Sequence, residues 1–300
     1  MSLVEQAIAR MRNQANAAAK SATATTAVAP KGPTLPAVAE TMLEPSRITK
    51  RMSLDMRALR AHGYLPEEGR DREFAEHYRR IKRPLIDKAL SATTAVGEPR
   101  VIMITSALPG DGKTFTSVNL ALSMALERDI SVMLVDCDVA KRHISEIAGI
   151  GEEKGLLDAL VDESLDIESL AVQTDLRSLS ILPAGRRVEA TAELLSSIRM
   201  RQLLSTLCAR NPRRIVLLDS PPLLITNEGR SLVKVAGQVV LVIRAGRTPR
   251  HAVQEAVALF DPQQAGGLIL NQMAAGSSED YYGYEAYGSN DAIGNQLEEP

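Results

Sequence analysis

Short apolar runs alternate with stretches of helical periodicity through the middle of the chain. Each run is rich in Val, Ile or Leu and has the length of a strand. The six predicted strands are Val101–Thr105, Ile130–Asp136, Leu179–Pro183, Arg214–Asp219, Val239–Ile243 and Gly267–Leu270. Because helical stretches separate most of them, the pattern predicts an α/β fold with a doubly wound, mostly parallel sheet. Such a sheet binds its ligand at the carboxyl ends of the strands.

The chain divides into five regions by composition. The pattern predicts an amphipathic helix (1–20), a linker rich in Ala, Thr and Pro (21–46), a helical and basic region (47–92), a domain built on the sheet (93–275) and a flexible, acidic, tyrosine-rich tail (276–300). In the third region, helical periodicity is clearest around Glu73–Lys88. Pro84 lies inside that stretch, and we expect it to kink or restart the helix.

Composition narrows the class of protein. With 45% apolar and 24% charged residues among 300, the chain is neither wholly disordered nor fibrous. Two cysteines exclude a disulfide scaffold and fit a reducing compartment. We find no run of about 18 apolar residues, as a membrane span requires, and no signal-peptide pattern. We therefore expect a soluble, cytoplasmic protein.

The net charge of −2 conceals an asymmetry along the chain. Residues 47–88 contain twelve Lys and Arg against seven Asp and Glu, whereas residues 251–300 contain eight acids and no Lys or Arg. The basic region is too interleaved with acids for a nucleic-acid surface. Two interpretations remain: both regions are solvated faces, or the basic region and the acidic tail bind one another.

The strongest motif is a glycine-rich turn between the first predicted strand and a helical stretch. Its residues are Ala107, Leu108, Pro109, Gly110, Asp111, Gly112, Lys113 and Thr114. This is a P-loop, or Walker A motif, with Ala in place of the usual first Gly. Its backbone N–H groups would surround a phosphate at a helix N-terminus. We expect residues from Pro109 to Phe115 to bind nucleotide, with Lys113 at the β- and γ-phosphates and the Thr114 hydroxyl on Mg²⁺.

Three acidic residues follow two other predicted strands. Asp136 and Asp138 end the second strand and would lie beside the P-loop if the two strands are neighbours. One carboxylate would bind metal through water, and the other would accept a proton from an attacking hydroxyl. Asp219 follows four apolar residues, the Walker B arrangement, and is expected to hold Mg²⁺.

The P-loop, the sequence Leu-Val-Asp-Cys-Asp at residues 134–138 and the sequence Leu-Leu-Asp-Ser-Pro-Pro at residues 217–222 together resemble the bacterial tyrosine kinases, or BY-kinases. The resemblance covers roughly residues 73–287. Within that family, the chain is most similar to the stand-alone autokinases of exopolysaccharide systems associated with exosortase. These kinases share the P-loop NTPase scaffold of the partitioning ATPases.

The resemblance implies ATP and Mg²⁺ as cofactors and assigns roles to residues. The implied catalytic residues are Lys113, Asp136, Asp138 and Asp219, with Asp136 favoured as the base over Asp138. Thr114, Asp138 and Asp219 would organise the metal, and Asn271 would meet the nucleotide base. Lys141 and Arg142 would take the place of a basic residue that the family carries after the second Asp.

Two further features of the resemblance concern self-association. The family carries an E-x-x-R-x-x-R helix motif, matched here by Glu76, Arg79 and Lys82, with Lys replacing the last Arg. The alternative interpretation of these three residues is a solvated helix face.

The tail contains Tyr281, Tyr282, Tyr284 and Tyr287, four of the six tyrosines, and resembles the family's autophosphorylation cluster. Phosphorylation would add negative charge, release the tail from the basic region and loosen the oligomer.

The sequence therefore favours an ATP-dependent protein-tyrosine autokinase that acts on its own tail in trans and regulates exopolysaccharide synthesis or export. Its expected partners are a second copy and a membrane chain-length regulator that holds it at the inner membrane, with exopolysaccharide enzymes as substrates and no nucleic acid. One alternative is a partitioning ATPase, but Leu108 stands where those proteins carry a signature Lys. The other is a regulatory scaffold that binds nucleotide without catalysis.

Overall fold

A computed structural model describes residues 48–91 and 97–273. The predicted N-terminal helix (1–20), the linker (21–46) and the tail with its tyrosine cluster lie outside the described residues. Within the described ranges, no helix is both long and apolar enough to cross a bilayer.

One eight-stranded sheet organises the fold. Its strands are β1 (Lys50–Arg51), β2 (Glu98–Ser106), β3 (Ser131–Asp136), β4 (Val172–Gln173), β5 (Leu179–Leu182), β6 (Arg214–Asp219), β7 (Ala236–Arg244) and β8 (Ala265–Asn271). Their order is β1-β4-β5-β3-β6-β2-β7-β8. All neighbouring pairs are parallel except β4 and β5. The expected doubly wound, mostly parallel sheet is confirmed.

Helices cover both faces of the sheet. They are α1 (Met56–Ala61), α2 (Asp71–Ser91), α3 (Lys113–Ala125), α4 (His143–Ile147), α5 (Leu156–Val161), α6 (Ile167–Leu170), α7 (Thr191–Leu195), α8 (Ile198–Arg210), α9 (Asn227–Val233) and α10 (Arg250–Val257), with a 3₁₀ turn at Pro262–Gln264. Helices α1 to α4 contribute to the core on one face, and α5 to α10 to the core on the other.

The central strands are buried on both faces. In β2, Val101 and Met103 belong to one core, whereas Ile102 and Ile104 belong to the other. All four side chains are fully buried. A strand buried on both sides needs apolar residues at every position, so it appears as a continuous apolar run without alternation. This explains why β2, β3, β5, β6 and β7 were visible in the sequence, whereas β8 lies at the edge of the sheet and is largely exposed.

The two strands absent from the sequence prediction, β1 and β4, are each two residues long. Neither contains an apolar run, and each exists because it pairs with a neighbour: β1 with β4, and β4 with β5. Through β1 and α2, the helical and basic region packs on the same sheet as the P-loop. Helix α2 continues through Pro84 without restarting.

Lys82 holds helix α2 to helix α3. Its ammonium donates to the Ser123 carbonyl at 2.7 Å and lies 2.8 Å from the Glu127 carboxylate. The side chain is buried, whereas Glu76 and Arg79 form an exposed ion pair. Of the three residues expected to mediate self-association, Lys82 is thus engaged inside the chain. The reason is that the helical period turns position 82 toward α3.

We expect Lys82→Ala to lower the free energy of unfolding by about 2 kcal/mol, because it leaves Glu127 and a backbone carbonyl without their cation. Arg83→Ala, at the exposed neighbouring position, is the matched control and should cost less than about 0.5 kcal/mol. Chemical denaturation measures both. If both variants lost the same small amount of unfolding free energy, Lys82 would not anchor α2 to α3.

Candidate functional site

The P-loop connects β2 to α3 in a shape that needs glycine at two positions. Gly110 and Gly112 have φ of 84° and 96°, in the left-handed region. A Cβ on Gly112 would also lie 2.0 Å from Asn271 Nδ2. Helix α3 begins directly after this glycine, at Lys113. The free N–H groups of its first turn therefore face the loop, as an anion site requires.

Contacts from two other strand ends fix the P-loop through Asp111. Its Oδ1 accepts from Thr248 Oγ1 at 2.8 Å, and its carbonyl accepts from Asn271 Nδ2 at 2.9 Å. The Asp111 side chain itself is buried. The structure thus places Asn271 against the P-loop backbone, and its contact with a nucleotide base stays a prediction. The loop is held in shape before any phosphate arrives.

Asp219 joins the P-loop helix to strand β6. Its Oδ2 accepts from Thr114 Oγ1 at 2.9 Å, and its Oδ1 accepts from Ser117 Oγ at 2.8 Å. The carboxylate is fully buried. A hydroxyl and a carboxylate in contact at the edge of a phosphate loop are oxygen ligands of the kind that Mg²⁺ takes.

Asp136 lies beside Asp219 across neighbouring strands. The two are register partners at the ends of β3 and β6. Ser145 donates to Asp136 Oδ2 from its hydroxyl at 2.6 Å and from its backbone N–H at 2.9 Å. Within the described ranges, Asp136 Oδ1 is buried and has no hydrogen-bond partner. Such an atom requires a ligand or water.

The acids reach the P-loop by a different route from the one expected. Strands β2 and β3 are not neighbours, because β6 lies between them. The expectation that these two strands are neighbours is therefore wrong, but the acids still lie close to the P-loop. Since β2, β6 and β3 are parallel, their carboxyl ends meet at one edge. Asp138, two residues beyond β3, is buried as well.

The site concentrates charge in a dry environment. Burial raises the pKa of Asp136 to about 6. Burial and then the charge of Asp136 raise the pKa of Asp219 to about 7. Burial also lowers the pKa of Lys113, although Asp219 and Asp138 oppose that shift. Burial thus disfavours the charged form of all three groups, and a bound cation together with a polyanion would favour it.

The residues present fit Mg²⁺ with a nucleoside triphosphate. Thr114 and Asp219 would hold the metal, with Asp138 and the free oxygen of Asp136 facing the same edge. Among the described residues, no group of three or more His, Cys, Asp or Glu forms a metal site by itself. This agrees with a metal held partly by phosphate oxygens, as P-loop proteins hold it.

Other predicted residues occupy less central positions. The ring of Phe115 packs edge-on against Phe74 of α2, with centroids 5.8 Å apart, so only its backbone in the first turn of α3 faces the loop. The Arg142 guanidinium donates to the Gly151 carbonyl and to Glu146, whereas Lys141 is exposed. Cys137 is fully buried, and burial raises its pKa, as expected of a core thiol rather than a nucleophile.

Four residues that contact or face the site had no role assigned from the sequence. Ser117 follows Thr114 by three residues on α3, a helical spacing that offered a signal. Ser145 and Thr248 act through tertiary contacts that no local pattern reveals. Tyr64, before α2, lies with its ring 6.1 Å from that of His143. Burial, with the charges of Asp219 and Asp136, raises its pKa.

The fold and this site define a P-loop nucleoside-triphosphate-binding protein, and comparison with known proteins identifies its family. Residues 99–259 match the family described as AAA domain. Tyrosine-protein kinase YwqD of Bacillus subtilis is 33% identical over 193 residues, which are 63% of this chain and 78% of that protein. The chain belongs to the AAA domain family and, within it, to the bacterial tyrosine kinases.

Two further comparisons agree. Tyrosine-protein kinase wzc of Salmonella typhimurium is 30% identical over 190 residues, which are 63% of this chain and 25% of that protein. The chain therefore spans about a quarter of that relative's length. The crystal structure of the VpsO kinase domain is 30% identical, with a TM-score of 0.54, and the match covers 68% of this chain and 98% of that one.

Proposed function

We propose that this chain is an ATP-dependent protein-tyrosine autokinase that phosphorylates Tyr281, Tyr282, Tyr284 and Tyr287 of a second copy. The observation that carries the proposal is the buried pair of Asp136 and Asp219 beside Lys113, with one Asp136 oxygen free within the described residues. A buried carboxylate with a raised pKa and a free oxygen at this edge supports a role in accepting a proton during phosphoryl transfer.

The proposed step is an in-line displacement at the γ-phosphorus. The tyrosine oxygen forms the new bond to phosphorus, its proton passes to a carboxylate, and the bond to the β-γ bridging oxygen breaks to release ADP. Asp136 is the favoured base over Asp138, because its Oδ1 is free and burial raises its pKa toward neutrality. Lys113 would neutralise charge on the γ-phosphate. Bound Mg²⁺ would supply further charge neutralisation at the phosphate oxygens.

The decisive experiment is incubation with ATP and Mg²⁺, followed by phosphopeptide mapping. We expect phosphate on residues 281–287 of the wild-type chain. The cytoplasmic part of a membrane chain-length regulator is included in a second arm, because the proposed activator completes or stabilises the site. ATP turnover without phosphotyrosine in both arms would favour a partitioning-type ATPase instead.

Ser145→Ala tests the base. The variant removes a hydrogen bond to the carboxylate form of Asp136, so the pKa of Asp136 rises further. Tyrosine phosphorylation should fall about tenfold more at pH 6 than at pH 8, because less of the base is ionised at pH 6. Ser220→Ala is the control, since that buried hydroxyl donates to the Ile104 carbonyl and not to an acid.

The same pH profile for Ser145→Ala and wild type would argue against Asp136 as the base. A uniform loss of activity at both pH values, matched by Ser220→Ala, would indicate a general packing effect.

The wider role follows from the same proposal. We place the chain at the inner membrane through a chain-length regulator, with self-association through Glu76 and Arg79 and a role in exopolysaccharide synthesis or export. Measuring the oligomeric mass before and after phosphorylation tests the link between tail charge and assembly. An unchanged mass would separate the kinase activity from assembly.

A further inference from the structure

The segment from the last residue of β7 to the first residue of α10 carries three arginines within seven residues: Arg244, Arg247 and Arg250. We call it the arginine loop. Arg247 and Arg250 are exposed, and Arg244 is partly buried. In the part of the chain that the structure describes, none of the three guanidinium groups has a hydrogen bond or an ion pair. Three close cations repel one another, and an anionic ligand would relieve that repulsion.

The arginine loop is fixed to the nucleotide site. Its Thr248 hydroxyl donates to Asp111 of the P-loop at 2.8 Å and accepts the Arg244 N–H at 2.9 Å. The Ala245 N–H donates to the Asn271 carbonyl at 2.9 Å, and Asn271 in turn donates to the P-loop. These contacts hold the backbone of the arginine loop beside the P-loop, so an anion bound by its arginines would lie at the same edge of the sheet as the nucleotide site.

The tail supplies a segment of matching charge. Residues 279–291 contain four acids, four tyrosines and no Lys or Arg. Tyr281 lies eight positions beyond Met273, the last described residue, and that stretch of chain spans at most about 27 Å. That spacer is long enough for the segment to leave its own fold and reach a copy in direct contact.

The basic helical region is a poorer partner for the tail than its composition suggested. Several of its cations already have acidic partners within the chain: Arg60 with Asp71, Arg70 with Glu73, Arg79 with Glu76 and Lys82 with Glu127. An incoming acid would have to displace those partners. At the arginine loop, no described acid competes.

We propose that the arginine loop binds the acidic tyrosine segment, residues 279–291, of a second copy and presents its tyrosines to the site of Lys113 and Asp136. This inference rests on the proposed function and adds its substrate specificity: tyrosines flanked by carboxylates. Exposed ion pairs are individually weak and screened by salt. The binding is therefore expected to be moderate and to weaken steeply with ionic strength.

The first test measures binding without catalysis. A fluorescein-labelled peptide of residues 276–292 is titrated with the full-length Lys113→Met chain and followed by fluorescence anisotropy. Adding Arg247→Glu and Arg250→Glu should weaken binding at least tenfold at low ionic strength. The control adds Arg177→Glu and Arg201→Glu, the same change of net charge at exposed arginines elsewhere, and should leave binding within about twofold.

The second test assigns the loop to the kinase copy. Wild-type chain labels the full-length Lys113→Met chain, and the double arginine reversal is placed on either partner. Labelling should fall about tenfold only when the reversal is on the kinase copy. Glu279→Lys with Asp280→Lys in the substrate copy should restore much of the loss.

Three results would overturn the inference. The first is that the loop variant and the control variant bind the peptide equally well. The second is that the loop variant loses ATP affinity by the same factor as peptide affinity. The third is that labelling occurs only within one chain. If the wild-type chain labels no tyrosine while the peptide binds as described, the proposed function fails and the docking surface stands.

Discussion

Replacing Lys113 by Met should reduce tyrosine phosphorylation by at least about 10³-fold while leaving the fold intact. The ammonium is buried at the first residue of α3, and the charges that act on it most are Asp219 and Asp138. In a dry site, a cation of this kind stabilises charge on the transferring phosphoryl group far more than it would in water. Among the described residues, Lys113 is the only Lys or Arg at the start of the helix that follows the P-loop.

The loss should not come from unfolding. Burial disfavours the Lys113 charge, so a methionine of similar length removes a desolvation cost. Lys234→Met is the matched control, since this lysine is exposed at the end of α9 and precedes β7, at the opposite edge of the sheet. Quantified phosphotyrosine and thermal melting decide the matter. Activity within tenfold of wild type in Lys113→Met would exclude the proposed role.

Asp219→Asn should abolish phosphoryl transfer and yet stabilise the nucleotide-free protein, by about 1–3 kcal/mol at pH 8. The buried carboxylate has a pKa of about 7 in the fold and about 3.9 in an unfolded chain. Because the pKa of Asp219 is raised in the fold, its contribution to the free energy of unfolding is full below about pH 4 and is lost as the pH rises through about 7. Asparagine does not ionise, so the stability of the variant does not fall with pH for this reason.

The measurement is thermal unfolding at pH 5 and pH 8 without nucleotide. The gap between Asp219→Asn and wild type should widen from pH 5 to pH 8. Mg²⁺ with ATP should then stabilise wild type more than the variant, because bound ligand acts by mass action. Asp87→Asn, at an exposed site, should change none of these values. A variant less stable than wild type at pH 8 would show that the Asp219 charge supports the fold.

The sequence determined the sheet and the motifs because both depend on local pattern. Strands buried on two faces must be apolar throughout, so β2, β3 and β6 were visible as runs. Glycine at positions 110 and 112 marked the left-handed turns that a phosphate loop requires. The acids at the ends of β3 and β6 marked where those strands stop, but the sequence did not determine how far these acids lie from the P-loop.

The tertiary structure alone decided which of these residues meet. Strand order placed β6 between β2 and β3 and made Asp136 and Asp219 register partners. Ser145 contacts Asp136, and Thr248 contacts Asp111 across 137 positions of the chain, and no periodicity encodes such contacts. Packing likewise directed Lys82 inward and left the arginine loop without acidic partners among the described residues. Local pattern fixes which element a residue lies in, whereas the contacts of its side chain depend on segments distant in the sequence.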